Sequence, residues 1–266
     1  MSYLDAYHAW LNSPALSAAV KAELASIQGD DKEIESRFFD QLSFGTAGLR
    51  GTMGVGLYRM NVHVIRHATQ AFAQVILEEG PQAAARGVAV CFDCRNNSDV
   101  FAREAACVMA GNGIPVRLFE SLRPTPELSF AVREYGCIAG INVTASHNPK
   151  EYNGYKVYWQ DGAQLPPHHA EAIAKKMEEL DMFDSIRRTD YDQAVKEYNE
   201  NPLYGWCHKN RKADGTPYNI YRDGLKIYTT INSTMQTYAE QAVQKQMESV
   251  IQPRMDAQYR RTKTLF

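Results

Sequence analysis

The sequence predicts an α/β fold, and two observations carry that prediction. Short apolar runs rich in β-branched residues alternate with segments of helical periodicity up to about residue 195. Glycine and proline residues separate many of these segments, as they do at the ends of regular elements. Strands that alternate with helices of such lengths are typical of βαβ units. We therefore expect a mainly parallel mixed sheet that is sandwiched by helices, followed by a small irregular strand-helix tail.

The individual elements can be assigned along the chain. Residues 3–28 are helical in composition, and Pro14 suits a helix start. Apolar residues recur at helical spacing over residues 62–79, and Gly80 is expected to end that helix. Ser98 is expected to cap the next helix with its side-chain oxygen. Further helices are expected over residues 124–135 and 168–180, and strands over residues 87–92, 114–119, 137–143 and 155–159.

The chain changes character after about residue 195. Residues 196–266 carry 11 Lys and Arg against 7 Asp and Glu, a net charge of +4, whereas the preceding residues carry a net charge of −6. A shift of this size suggests a boundary. We expect one domain over residues 1–195 and a second unit over residues 196–266, built from a polar connector, a strand and a helix.

The composition restricts the partners and the compartment. The chain has 266 residues, of which 44% are hydrophobic and 23% charged, with a formal net charge of −2. These shares are typical of a globular protein, and the small net charge gives no general attraction to nucleic acid or to an anionic membrane. No stretch approaches the ~20 apolar residues of a membrane-spanning helix. We expect a cytoplasmic protein that binds neither nucleic acid nor membrane.

A short motif follows the predicted strand at residues 87–92. Cys91 and Cys94 form a C-x-x-C pair, which is found in redox and zinc sites. No second cysteine pair stands at zinc spacing in the sequence. The favoured interpretation of Asp93-Cys94-Arg95 is therefore a turn at the end of a strand.

The most informative stretch is residues 144–149, with the sequence TASHNP. It follows the apolar run 137–143, so Ser146 is expected in a loop beyond the carboxyl end of a buried strand. Open α/β sheets bind their ligands at such loops. An ordinary turn of Ser, Asn and Pro explains the hexapeptide equally well. On its own, the hexapeptide leaves a nucleophile loop and a plain turn both open.

Two further segments carry residues suited to phosphate chemistry. Residues 44–51, FGTAGLRG, combine three glycines with Arg50. Glycines let backbone N–H groups approach an anion, and a guanidinium binds phosphate through two hydrogen bonds. Lys156 follows Ser146 by ten positions, and a lysine near other cations has a lowered pKa and can act as acid or base. A flexible turn with a surface arginine, and a lysine exposed on a strand, are the alternatives.

Together these motifs resemble a known family. The chain is similar to the amino-terminal domain of the α-D-phosphohexomutases, the phosphoglucomutase and phosphomannomutase superfamily, over about residues 1–190. It looks most like the branch that includes phosphopentomutase-like phosphoglucomutases. The matching motifs are residues 44–51, 59–61 (RMN), 122–128 (LRPTPEL), 144–149 and 151–158 (EYNGYKVY).

The resemblance implies a role for each matching residue. Ser146 would be the phosphoserine that gives its phosphoryl group to a sugar monophosphate, forming a bisphosphate, and then takes back the other phosphate. His147 would help to position the reacting oxygen, while Arg50 and Lys156 would serve proton transfer and charge stabilisation. Phosphoryl transfer depends mainly on such positioning and neutralisation of charge. The residues implied to bind phosphate or substrate are Thr46, Gly48, Arg50, Thr144 and Asn148.

The resemblance also implies a cofactor and partners. Mg²⁺ would bind to an oxygen of the phosphate on Ser146, because a hard cation prefers oxygen ligands. The expected partners are a hexose or pentose phosphate and a sugar bisphosphate activator. Which sugar phosphate is used stays open.

One feature of the family is not found in the sequence. Its metal loop, an Asp-Gly-Asp-x-Asp-Arg run, has no counterpart in the 266 residues. We therefore expect an incomplete chain, an intramolecular phosphotransferase by family that lacks the metal and sugar-specificity domains and has little or no turnover. The alternatives are a non-catalytic phosphosugar-binding or interaction fragment, and a chimeric remnant.

The tail resembles a different family. Residues 206–243, within about 200–250, are similar to the stretch between the glycosyltransferase and transpeptidase domains of class A penicillin-binding proteins. That stretch supplies a linker strand and helix and no catalytic group. The resemblance implies a tail of different origin, joined either by a true gene fusion or by an artefact of sequence assembly.

Overall fold

The computed structural model describes residues 2–189 and, beyond them, only residues 210, 212, 215, 218, 241, 244, 245, 249, 252 and 253. The chain divides into two units, Met1–Lys196 and Glu197–Phe266. The strand and helix predicted for the tail, and its resemblance to a penicillin-binding protein, fall almost entirely outside the described residues. The domain boundary near residue 195 therefore stays a prediction.

The first unit alternates helices and strands, as expected. The elements are α1 (Tyr3–Asn12), α2 (Ala18–Ser26), α3 (Asp31–Phe38), β1 (Leu49–Thr52), α4 (Val62–Glu78), α5 (Pro81–Ala85), β2 (Val88–Phe92), α6 (Ser98–Gly111), β3 (Val116–Leu118), α7 (Thr125–Glu134), β4 (Ala139–Val143), β5 (Tyr152–Trp159) and α8 (Pro167–Glu179). Among the described residues, no helix combines the length and the apolar composition needed to cross a membrane.

The five strands form one mixed sheet in the order β1-β5-β4-β2-β3. Strands β3, β2 and β4 are parallel, whereas β5 runs antiparallel to both β4 and β1. The predicted α/β class with a mixed sheet is confirmed. Parallel pairs make up only half of the sheet, so the expectation of a mainly parallel sheet overstated them.

The sheet has helices on both faces. Helices α4, α6 and α8 share a large apolar core with one face, which we call the core face. Helix α7 packs against β2 and β4 on the opposite face, where a smaller cluster includes Leu128, Val132 and Tyr158. We call this second face the site face. Helices α1 to α3 bury a separate cluster around Tyr7, Trp10 and Phe38.

Two local predictions were wrong, and one strand was missed. Residues 3–28 form two helices, because the chain leaves the helix at Ser13, before Pro14, and starts a second one after Ser17, whose side chain accepts from Val20 N–H. The N-cap of α6 is Asn97, in a left-handed conformation, and not Ser98. No strand was expected at residues 49–52, which pair with β5 as strand β1.

Candidate active site

The candidate site lies at the edge of the sheet where β2 and β4 have their carboxyl ends. Strand β4 ends at Val143, and the chain forms a loop, residues 144–151, before it returns as β5. Strand β2 ends at Phe92 and is followed directly by Asp93. Polar side chains from separate parts of the chain therefore meet where α/β sheets bind ligands.

Ser146 stands at the exposed tip of the loop in an unusual conformation. Its φ angle is +58°, in the left-handed region, although it is not a glycine. Its N–H donates to the Thr144 hydroxyl at 2.9 Å, and the N–H of Asn148 donates to the Ala145 carbonyl at 3.2 Å. The left-handed conformation costs roughly 1–2 kcal/mol for an L-residue. Such strain persists where surrounding contacts fix it, often at functional sites.

The histidine that follows lies close to the serine hydroxyl. Nδ1 of His147 is 3.4 Å from Oγ of Ser146. Both side chains are exposed to solvent. The imidazole can therefore contact a group that approaches the hydroxyl.

Arg50 reaches the loop from strand β1. It pairs with Gly154 on β5, and its Nη1 donates to Oδ1 of Asn148 at 3.0 Å. A side chain at position 154 would not fit, because its Cβ would lie 2.6 Å from the Thr144 carbonyl oxygen. Glycine at this position thus lets β5 pass directly beneath the loop, which brings Arg50 to the same edge as Ser146.

The glycine turn before β1 is closed by its own backbone. Gly45 and Gly48 each donate an N–H to the carbonyl of the other, at 3.1 and 2.8 Å. Gly48 has φ +77°, and a Cβ there would lie 1.8 Å from the Tyr155 carbonyl oxygen. Two N–H groups that were expected to face an anion are therefore used within the turn. Thr46 is exposed, and the phosphate-binding roles of Thr46 and Gly48 stay predictions.

Lys156 lies in the middle of β5, opposite Asn142 of β4, so both side chains belong to the site face. Partial burial lowers the pKa of Lys156, and the positive charge of Arg50 lowers it further, while Asp93 acts in the opposite direction. A lysine with a lowered pKa more readily exchanges a proton near neutral pH. The positive charge of Arg50 therefore lowers the pKa of Lys156, as expected for a neighbouring cation, but burial is the larger cause.

Asn142 is the buried neighbour of Lys156. Its Nδ2 donates to the Thr125 hydroxyl at 2.7 Å at the start of α7. Its Oδ1 is buried without a hydrogen-bond partner among the described residues. An unpartnered buried acceptor is unfavourable for stability. The residues around Lys156 are therefore not arranged for maximal stability.

Sequence reasoning missed Arg95, which was assigned to a turn. Its guanidinium donates to the backbone carbonyls of Ser146 at 2.8 Å and Asn148 at 2.6 Å, and to those of Pro149 and Tyr152. Asp93 and Arg95 also line an open cleft of about 450 Å³ together with Ser146, Asn148 and Lys150. The available signal was a charged pair directly after a buried strand, at the edge where ligands bind.

Magnesium binding by protein side chains requires a set of oxygen ligands. No group of three or more His, Cys, Asp or Glu side chains that could hold a metal occurs in the part of the chain that the structure describes. The described residues thus supply no carboxylate set for Mg²⁺. The binding of Mg²⁺ through a phosphate on Ser146 stays a prediction.

Comparison with known proteins gives consistent matches. The family described as "Phosphoglucomutase/phosphomannomutase, alpha/beta/alpha domain I" matches residues 41–183. Phosphopentomutases of Mus musculus and Homo sapiens are each 40% identical over 176 residues, covering 64% of this chain and 28% of theirs. A phosphoglucomutase of Staphylococcus saprophyticus is 39% identical over 166 residues, covering 62% of this chain and 30% of its own. The chain thus spans less than a third of the length of these relatives.

A solved structure, a putative phosphomannomutase from Thermus thermophilus, has 30% sequence identity and a TM-score of 0.47. The match covers 60% of this chain and 35% of that one. The family match ends at residue 183, and none of these matches supports the resemblance of the tail to a penicillin-binding protein.

Proposed function

We propose, since this chain belongs to the phosphoglucomutase/phosphomannomutase family through its α/β/α domain I, that the loop after β4 carries the phosphoserine of a phosphosugar mutase. Ser146 is the proposed phosphoryl carrier. The single observation that supports this assignment is its conformation: an exposed hydroxyl on a left-handed residue at the carboxyl end of β4, with Arg50 bound to the same loop.

The proposed reaction begins with phosphoryl transfer from a sugar bisphosphate to Ser146. The bond between Oγ and phosphorus forms, the bond between phosphorus and the sugar oxygen breaks, and the proton of the serine hydroxyl passes to the released sugar oxygen. Lys156 and Arg50 neutralise the charge that spreads over the transferring group, and Lys156, with its lowered pKa, serves proton transfer. His147 positions the reacting oxygen.

The substrates are proposed from the relatives and not from the site. The similar proteins are phosphopentomutases and a phosphoglucomutase, so we propose pentose or hexose phosphates as substrates and the matching bisphosphates as activators. Because the 266 residues span less than a third of these relatives, we expect the isolated chain to give little or no net mutase turnover.

The direct test is phosphorylation of the chain itself. We expect radiolabelled glucose 1,6-bisphosphate or ribose 1,5-bisphosphate to transfer label to Ser146, located by peptide mass spectrometry. Ser146→Ala should abolish the label, whereas Ser26→Ala, which removes an exposed hydroxyl on α2, should not change it. Absence of label from both donors would contradict the proposal, as would label that survives Ser146→Ala.

Turnover is measured separately. A coupled assay with glucose 1-phosphate, magnesium and the bisphosphate should give little or no product with the isolated chain. Robust turnover that Ser146→Ala abolishes would show that the 266 residues suffice for the whole reaction, which would overturn the expectation of an incomplete site.

A further inference from the structure

Both terminal nitrogens of the Arg95 guanidinium donate to backbone carbonyls. Nη1 donates to the carbonyls of Pro149 at 2.9 Å and Tyr152 at 3.1 Å. Nη2 donates to the carbonyls of Ser146 at 2.8 Å and Asn148 at 2.6 Å. Nε lies 3.5 Å from the Asp93 carboxylate. The guanidinium is therefore occupied by the loop backbone, and a phosphate would have to displace one of these bonds to reach it.

The four carbonyls extend from the tip of the serine loop to the start of the next strand. Ser146 stands at the tip, Asn148 and Pro149 follow it in the loop, and Tyr152 is the first residue of β5. One planar group thus bridges the loop at four points. A lysine ammonium has three donors at a single atom and cannot reproduce this planar arrangement.

Asp93, Ser98 and Asn153 form a hydrogen-bond network that also holds Arg95 in place. Oδ1 of Asp93 accepts from the backbone N–H of Arg95 at 3.0 Å and from the Ser98 hydroxyl at 2.8 Å. Ser98 in turn accepts from Nδ2 of Asn153 at 3.0 Å. The arginine is mostly buried, with 13% of its side chain exposed. The network therefore connects the end of β2, the start of α6 and the start of β5 to the serine loop.

We infer that Arg95 is a positioning residue, which holds the serine loop so that the Ser146 hydroxyl is presented to the phosphoryl donor. The inference rests on the proposed function, because that function gives the Ser146 hydroxyl its role. The contact between Arg95 and the serine loop is independent of it. The carbonyl of the left-handed Ser146 is one of its four acceptors, so loss of Arg95 should release the residue whose conformation is least favourable.

The chain offers a matched control in Arg86. Its guanidinium also donates to two backbone carbonyls, those of Gly136 at 2.8 Å and Cys137 at 3.1 Å, but these belong to the turn after α7. Arg95→Ala and Arg86→Ala therefore remove the same kind of contact at two separate places. Only the first is expected to affect Ser146.

The first measurement is hydrogen exchange of the loop amides, which needs no activity. We expect Arg95→Ala to accelerate exchange in peptides covering residues 146–152 by about tenfold or more, because contacts that restrict local opening are lost. Exchange over residues 136–138 should stay unchanged, and Arg86→Ala should give the reverse pattern. Unchanged exchange of the serine loop in Arg95→Ala would overturn the inference.

The second measurement is the initial rate of Ser146 labelling by glucose 1,6-bisphosphate. We expect Arg95→Ala to label about 10- to 100-fold more slowly, since small displacements of a reacting atom have effects of this order. Millimolar guanidinium ion should partly restore the rate in Arg95→Ala and leave Arg86→Ala unaffected. Such selective rescue would show that the guanidinium group at this place, and not the bulk of the side chain, sets the labelling rate.

The outcomes separate the two proposals. If the unmodified chain is not labelled, the proposed function fails, while the exchange measurement still decides the role of Arg95. If the unmodified chain is labelled and Arg95→Ala is labelled equally fast, the positioning role fails. Should Arg95→Ala not fold, Arg95→Lys takes its place: slow labelling in folded Arg95→Lys supports the inference, and wild-type labelling overturns it.

Discussion

The two faces of the sheet are formed by the same strands but differ in what they bury. On the core face, β4 and β5 direct Ala139, Ile141, Val143, Tyr155, Val157 and Trp159 into one apolar core with α4, α6 and α8. On the site face, the intervening positions are Gly140, Asn142, Gly154, Lys156 and Tyr158. Because side chains alternate along a strand, neighbouring residues of β4 and β5 face opposite sides of the sheet, one toward the core and the next toward the site.

The difference shows how stability and chemistry are divided in this domain. The core face carries closely packed apolar side chains, which contribute most to the free energy of folding. The site face carries a lysine with a lowered pKa and an asparagine with an unpartnered oxygen, both unfavourable for stability. The core face is therefore built for stability, whereas the candidate site on the other face includes groups that reduce it.

The pairing of β1 with β5 is the contact on which Arg50 depends to reach the site, and Gly48→Ala should break it. A Cβ at position 48 would lie 1.8 Å from a backbone oxygen of Tyr155 and would adopt φ +77°. We expect a loss of about 4–5 kcal/mol in the free energy of unfolding, which combines left-handed strain with overpacking. Denaturant unfolding measures this loss.

Gly45→Ala is the control at the other side of the same turn. Nothing lies within 4 Å of a Cβ at position 45. Its effect should stay within about 0.5 kcal/mol. Equal effects of the two substitutions would show that the turn adapts and that β1 is not held by this close approach.

Adjacent residues of β4 test the two faces directly. Ile141 is fully buried in the core face, and Ile141→Ala should lower the free energy of unfolding by about 2–5 kcal/mol through lost burial and a cavity. Asn142→Ala also removes a buried side chain, but it removes an unpartnered oxygen with it. We expect a loss below about 1 kcal/mol. A loss for Asn142→Ala as large as for Ile141→Ala would contradict the division between the faces.

The free energy of unfolding should depend on pH through the protonation of His63. This residue of α4 is buried between the rings of Trp10 and Phe183, and burial lowers its pKa to about 4. Because the folded pKa lies below the unfolded value, the unfolded chain binds more protons between about pH 6.5 and pH 4. Stability should therefore fall as the pH falls through this window, by about 3 kcal/mol in total.

His63→Phe removes the titrating group and keeps an aromatic ring in the same cluster. Its free energy of unfolding should depend less steeply on pH between 4 and 6.5 than that of the unmodified chain. Denaturant unfolding at a series of pH values measures both slopes. Identical slopes would show that His63 is not protonated on unfolding in this window.

Elements with local signals were predictable from the sequence. Helix α4 was expected over residues 62–79 and extends over Val62–Glu78, because Asn61 caps it through two backbone N–H groups and Gly80 follows its end. Strand β1 could not be assigned in this way. It has four residues, and its pairing with β5 joins segments about a hundred positions apart.

The direction of β5 had a signal that was not used. Eight residues separate β4 from β5, and parallel neighbours need a crossover of about a dozen residues or more, so the short connection favours an antiparallel pair. For the site, the motifs identified Ser146, Arg50 and Lys156. Arg50 contacts the loop that carries Ser146, and Lys156 lies on the site face, near enough to Arg50 for that charge to lower its pKa. Arg95 lies 51 positions from Ser146, and its contacts are with backbone oxygens, which leave no trace in side-chain motifs.

The smallest predicted effect is a change in the pKa of Lys156, which depends in part on the charges near it on the site face. Arg50→Gln removes a positive charge that lowers this pKa, so the pKa should rise, although it stays below the usual lysine value because burial is the larger cause. Arg123→Gln, which removes a cation paired with Glu127 on α7, should leave the pKa unchanged. NMR titration of the Lys156 side chain measures each value. The same pKa in Arg50→Gln as in the unmodified chain would mean that burial alone sets it, and Arg50 would then act on the serine loop only through Asn148.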